Sequence, residues 1–325
     1  MAYTDFPWHQ KTWDKFSAAR KRNHLPHALL VAGEEGIGKN EFAEKLVKSL
    51  LCHQPINNQP CEQCNGCKTY SAGSNPDFME IQVAEDKKQI SVDQIRSLSQ
   101  FIILSRSFSA YRVILLRPVE AMNVNAANSL LKSLEEPADN TVIILLSTTV
   151  SQILPTIKSR CQLLSLPNPS QQQALDWLQE NAPEIKDAQA RLDLSFGRPL
   201  IALEINDSDI NQAGEFGVDI LQVLEEEKSI TEVAKKWEKV QHKNLIDWQL
   251  SWLKTLIKEE LTGVKETTLS EQHLSKIKTL IKSEPCWQLY QQILEQQKYI
   301  HTSVNPLMFI ENMLILWFKA SHQCR

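Results

Sequence analysis

No stretch of this 325-residue sequence approaches the ~20 uninterrupted apolar residues that a bilayer span needs. The opening residues, with Asp5, Trp8 and His9, lack the apolar segment of a secretory signal. No membrane role is expected, and the chain is expected to be cytoplasmic. An excess of positive charge is missing too. The net charge is -4 and the pI near 6.1, which argues against tight independent binding to nucleic acid, since that needs a basic face to displace counterions. Arg20, Lys21 and Arg22 are the nearest thing to a basic patch. There is no internal repeat, low-complexity tract or long charge run, and residues 225–228 read as a solvated helix face. No pair of carboxylates stands in a polymerase or exonuclease context, so no polymerase chemistry is expected of this chain.

What is present suits a globular protein. Hydrophobic residues at 42% and charged residues at 23% are ordinary values, and the length calls for two or three domains. Over the first half, apolar runs of strand length alternate with helical segments, at residues 27–33, 77–83, 112–116, 141–148 and 162–166. That alternation predicts a parallel sheet covered by helices. Asn123 is placed to cap a crossover helix carrying Ala126, Leu130, Leu131 and Leu134, which Pro137 ends.

Pro167, Asn168 and Pro169 break the pattern, Ser170 can cap the next helix, and a boundary near residue 167 follows. Beyond it strand-like runs vanish and the chain is expected to be all helical, with Gly197 stopping one helix. Residues 206–214 are polar and carry no helical stripe, which suggests a linker. Later stripes, Trp287, Tyr290 and Leu294, then Leu307, Ile310, Leu314 and Trp317, are expected to be core, with partner contacts as the other use of such faces.

Three features carry chemistry. Gly33-Glu34-Glu35-Gly36-Ile37-Gly38-Lys39-Asn40 follows the first strand and opens a helix, the context of the phosphate-binding GxxxxGK[ST] loop. Gly33, Gly36, Gly38 and Lys39 match. Asn40 replaces the hydroxyl that holds magnesium, and Glu34 and Glu35 bring negative charge near where a triphosphate would sit. The acidic residue that such folds need at the end of a buried strand is also missing. The strand over 113–116 runs into Arg117, Pro118 and Val119, leaving only Glu120 as a displaced acid. The loop therefore reads as degenerate, with Lys39 a solvated surface lysine and weak nucleotide binding through Lys39 as the alternative. Magnesium-bound ATP is not expected to be hydrolysed.

The second feature is Cys52, Cys61, Cys64 and Cys67, four thiols within sixteen positions, a spacing suited to a tetrahedral structural zinc. Asn57, Asn58, Pro60, Asn65 and Gly66 are turn formers that let a short loop wrap an ion. Free or disulfide-bonded thiols, or another metal, are the alternatives. Cys161, Cys286 and Cys324 show no matching spacing and read as ordinary packed or surface residues. The third feature is the pair of runs Ala126-Ala127-Asn128-Ser129-Leu130-Leu131-Lys132-Ser133-Leu134-Glu135-Glu136-Pro137 and Ile157-Lys158-Ser159-Arg160-Cys161. Spacing alone makes Arg160 a structural salt bridge.

Together with Leu25-Pro26-His27-Ala28-Leu29-Leu30, these motifs resemble the bacterial clamp-loader branch of the AAA+ family, over roughly residues 20–205. The missing magnesium ligands resemble its silent members rather than its gamma/tau motor subunits. The resemblance implies a RecA-like AAA+ parallel-sheet domain over 1–167 with the zinc module at 52–67, a small helical lid over 168–207, and an all-α collar for oligomerisation over 208–325. It implies a non-hydrolysing stator of the DNA polymerase III clamp loader that helps place the sliding clamp on primed DNA. Implied partners are the gamma/tau and delta subunits of a five-membered ring, with clamp and DNA reached through the complex. It further implies that Arg160, within Ser159-Arg160-Cys161, enters the ATP site of the adjacent subunit as an arginine finger, since a planar, permanently charged guanidinium suits charge developing on phosphoryl oxygens. Arg198, between Gly197 and Pro199, lies where that family carries a lid sensor. The alternative readings are an active ATPase of the gamma/tau type using Lys39 and Glu120, and a zinc-containing nucleic-acid adaptor.

Overall fold

A computed structural model describes residues 6–22, 24–263, 271–281, 283–300, 302 and 304–322. Asp5 and Cys324 lie outside the described residues. The chain forms two compact units, Met1–Gln173 and Ala174–Arg325.

The first unit is built on five strands, β1 (Ala28–Ala32), β2 (Phe78–Gln82), β3 (Arg112–Arg117), β4 (Thr141–Ser147) and β5 (Gln162–Ser165). They pair in parallel in the order β2-β3-β4-β1-β5. Every strand matches an apolar run of the sequence. In β1 all five residues are buried, and the strand is uniformly apolar because both faces of the sheet are covered. Leu29 and Val31 pack on one side with α1 (Gln10–Lys21) and α2 (Lys39–Leu51). Ala28 and Leu30 pack on the other with α4 (Val92–Ile103) and α5 (Val124–Glu135), while α3 (Asn65–Ser71) and α6 (Pro155–Lys158) are shorter. The outer strands β2 and β5 carry Glu80, Gln82, Gln162 and Ser165 among their apolar residues, as befits sheet edges.

Local chemistry sets the helix starts. Asn123 Oδ1 accepts from the Ala126 amide at 2.9 Å at the head of α5, and Ser91 with Gln94 forms a capping box on α4. Ser170 and Gln173 exchange backbone-to-side-chain bonds at 3.0 and 3.2 Å ahead of α7 (Gln171–Asn181).

From α7 onward every described element is helical. α8 (Ala188–Leu194) ends where Gly197, at φ 79°, turns back to donate to the Leu192 carbonyl at 2.7 Å. Then follow α9 (Pro199–Glu204), α10 (Asp207–Leu224), α11 (Ile230–Trp237), α12 (His242–Thr262), α13 (Glu271–Leu280), α14 (Ser283–Gln296) and α15 (Pro306–His322). Their core is rich in large rings. Phe216 lies within 6.3 Å of Trp237, Trp248 and Trp252, and full burial of such a ring contributes about 1.5–3 kcal/mol.

Three readings of the second half need correction. Residues 206–214 are not a linker but the first turns of α10. Asn206 and Asp209 form a capping box at 2.9 and 3.0 Å, and Asp207 pairs with the buried Arg191 at 2.5 Å. Polarity there reflects what a helix N-terminus favours, and the apolar stripe begins only at Ala213 and Phe216. Residues 225–228 form a turn after α10, with Glu226 at φ 61°. Lys228 reaches back to the buried Asp219 at 2.8 Å. Finally, Trp287 is 50% and Leu294 41% exposed, so the stripe they form with Tyr290 is not core. The inward face of α14 is Cys286, Leu289 and Ile293, one register away, whereas Ile310, Leu314 and Trp317 of α15 are fully buried as expected.

Candidate functional site

At the carboxyl end of β1 the chain turns through residues 33–38 into α2, placing the phosphate-loop motif over the strand ends, where open parallel sheets hold ligands. Gly36 and Gly38 take φ values of 79° and 88°, left-handed geometry that glycine adopts without strain. Glu34, Glu35 and Asn40 are exposed. Lys39 is not a solvated surface lysine. It is only 8% exposed, as the first residue of α2. Burial lowers its pKa from the usual lysine value, opposed by the charges of Glu120 and Glu35.

Where a metal-holding acid is required, the structure has an internal ion-pair cluster. Arg117, the last residue of β3, donates from Nε to Glu80 of β2 at 2.6 Å and from Nη1 to Glu44 of α2 at 3.3 Å. Two carboxylates are thus occupied by the chain's own cation, and Arg117 precedes Pro118 through a cis peptide bond. Glu120, the displaced acid, is engaged as well. It accepts from the Thr148 amide at 2.8 Å and the Thr148 hydroxyl at 2.5 Å. Against the cost of burial, these bonds hold the Glu120 carboxyl below the usual range. Sequence reasoning singled out Lys39, Arg117 and Glu120 but missed Glu44 and Glu80. Their only signal is charge on a helix and an edge strand, which is common without function.

Arg160 lies just after α6, with its side chain 35% exposed. Its Nη2 meets Glu135 at 2.5 Å and its Nη1 donates to the Thr156 carbonyl at 3.0 Å. The two signature runs of the sequence are therefore joined by this ion pair. Arg198 stands at the N-cap position of α9 without a side-chain capping bond, donating from Nε to the Ser195 carbonyl at 2.7 Å and lying over the Phe196 ring.

The four cysteines meet at the other end of α2. Their sulfurs all lie within 4.8 Å of one another. Tetrahedral bonds of about 2.3 Å place thiolates about 3.8 Å apart, and Cys64 and Cys52 stand at 3.8 Å. The amides of His53, Cys61 and Cys67 point at sulfurs at 3.3–3.5 Å, stabilising negative charge there. Although burial opposes it, the bonds from His53 and Cys67 bring the Cys64 thiol down to about 6. This donor set fits a soft divalent ion. The backbone is shaped for it, with Asn57, Asn58 and Glu62 at positive φ. A Cβ on Gly66 would come within 2.1 Å of the Leu51 carbonyl, so only glycine fits. The loop is tied down through Ser49, which donates to the Asn58 carbonyl at 2.5 Å and accepts from Arg20 at 2.6 Å. Arg20 is thus an anchor of this loop rather than part of a free basic patch. Cys161 is half-buried and Cys286 buried, and both are remote from the cluster in sequence and absent from it.

Known proteins resemble this chain over most of its length. A family model described as DNA polymerase III, delta subunit, matches residues 8–170. The chain is 33% identical to the DNA polymerase III subunit delta' of Pseudomonas aeruginosa, over 96% of this chain and 97% of that one. It is 29% identical to the subunit of the same name from Haemophilus influenzae, over 79% and 78%. A shorter likeness, 36% identity over 42% of this chain and 24% of the relative, is to the DNA polymerase III subunit tau of Bacillus subtilis.

Proposed function

Because the chain belongs to the DNA polymerase III delta-prime family, components of the AAA+ clamp loader, we propose that it is the loader's non-hydrolysing stator. The observation that carries this reading is Arg117. Phosphoryl transfer in such folds needs a carboxylate to hold magnesium beside the triphosphate. Here a guanidinium neutralised by Glu44 and Glu80 takes the strand end, and Asn40 replaces the hydroxyl ligand. A divalent ion brought to this point would find both carboxylates already engaged by the chain's own guanidinium instead of a free acid. Residues 1–167 form the sheet domain in this reading, 168–207 the lid and 208–325 the collar. The partners are gamma/tau and delta, with the sliding clamp and primed DNA met through the assembled loader in the cytoplasm. Among the described residues no helix is long and apolar enough to cross a membrane.

The chain contributes to hydrolysis through Arg160, offered to the ATP site of the adjacent subunit. An ion pair this exposed is worth at most about 1 kcal/mol. Glu135 can therefore yield the guanidinium to the greater negative charge of a triphosphate. Cys52, Cys61, Cys64 and Cys67 hold one zinc ion, whose role is to fasten the loop after α2. With four thiolates the ion has no open coordination position, so its chemistry is structural.

The purified chain should show no magnesium-dependent ATP turnover; appreciable turnover, abolished by Lys39→Ala, would sink the stator reading. In a reconstituted loader Arg160→Ala should assemble normally and slow hydrolysis at the neighbouring site by about a thousandfold. Unchanged turnover would remove the finger assignment.

A further inference from the structure

The residues ahead of α1 press onto the phosphate loop. Phe6 is 6% exposed and Trp8 4% exposed. Trp8, in the short 3-10 turn Pro7–His9, donates its indole N–H to the Ile37 carbonyl at 2.9 Å. A Cβ built on Gly38 would lie 2.5–2.7 Å from three carbons of the Phe6 ring. Glycine at that point of a phosphate loop normally serves the close approach of a ligand to the backbone. Here what approaches is the chain's own ring. His9 completes the seal, its ring 5.4 Å from Phe6, 5.8 Å from Trp8 and 5.3 Å from Phe42.

We propose that Phe6 and Trp8 act as an intramolecular occupant of the phosphate loop, excluding nucleotide by filling the space over Gly38. This rests on reading residues 33–39 as a phosphate loop. It is separate from the loss of magnesium ligands, which disables hydrolysis but leaves backbone amides and Lys39 able to hold phosphate. The chain is thus closed to nucleotide at the binding step, upstream of any chemistry. The segment binds where a triphosphate would, without charge, through ring contact and one hydrogen bond to a loop carbonyl.

The test is calorimetric titration of the full chain with ADP and with pyrophosphate, in magnesium-free buffer so that Asn40 and Arg117 do not enter the result. The parent should bind neither. The double variant Phe6→Ala, Trp8→Ala should bind pyrophosphate or ADP at least about tenfold more tightly than any residual parent affinity. A folded double variant that binds no better overturns the proposal, and so does a parent that binds ADP tightly. If the double variant does not fold, Gly38→Ala decides. Its added methyl collides with Phe6, so chymotryptic cleavage after Trp8 should accelerate. Gly73→Ala controls for left-handed strain alone, since Gly73 has φ 68° but open space around it. Equal cleavage in the two glycine variants also overturns the proposal. ATP turnover by the parent would defeat the stator reading, whereas absent binding by the opened variant defeats only the occupant.

Discussion

Helix α2 has a motif-bearing loop at each end, and the two have opposite fates. At its C-terminal end the four cysteine sulfurs face one another, drawing backbone amides toward them. At its N-terminal end the phosphate loop keeps its glycines and Lys39, yet the surrounding groups are spoken for. Arg117 is held by Glu44 and Glu80, Glu120 by Thr148, and Gly38 is covered by Phe6. A site that still needs an outside partner leaves its donors unsatisfied. At the phosphate loop the chain's own charges engage one another instead, Arg117 with Glu44 and Glu80, because buried unpaired charge is costly.

The sharpest way to break this contrast is to empty the cysteine end. Cys67→Ser should drop bound zinc from about one ion per chain to near zero, read by metal analysis. It should also lower the thermal midpoint by on the order of 10 °C, since metal binding here is folding free energy. A fully folded, zinc-free parent would erase the distinction between the two ends.

Acid is the next probe, aimed at the other end. Burial, and then the charge of Lys45, depress the His9 pKa from 6.5 to about 4. The folded state thus binds fewer protons than the unfolded one between those values. Stability should be unaffected above 6.5 and fall as pH drops from 6.5 toward 4, by at most about 3 kcal/mol. His9→Phe should flatten that part of the profile in denaturant titrations.

The smallest effect is expected at Arg117. Its cluster is partly solvated, with side-chain exposures of 23, 29 and 44%, so Arg117→Ala should cost only about 1 kcal/mol. What should change is charge: Glu44 and Glu80 are left facing each other, and the variant should be stabilised by added magnesium where the parent is not. A thermal shift that ignores magnesium would show that these acids cannot reconstitute a metal site.

The sheet was legible in the sequence because each strand is an apolar run bounded by turn or polar residues, and a strand buried on both faces writes its position directly. The cysteine cluster was legible for a similar reason, since its spacing alone limits the geometry. Polarity misled where its cause was local. Residues 206–214 are polar because they form a helix start capped by Asn206 and paired through Asp207 with Arg191, a partner sixteen positions away. On α14 two stripes compete one register apart, and periodicity cannot choose between Trp287 with Leu294 and Leu289 with Ile293. Lys39 illustrates the limit for sites. The motif names the residue, but its burial and the nearby charge of Glu120 arise only when the fold assembles.

The indole bond from Trp8 to Ile37 carries one more consequence. Two of the eight tryptophans, Trp8 and Trp13, precede residue 174; Trp8 bonds to the phosphate loop and Trp13 sits against the helix that opens from it. The loop therefore holds its own optical label. A difference emission spectrum between the parent and Trp8→Phe isolates that one indole from the other seven. It would show, during assembly with partner subunits, whether the loop stays shut or comes open.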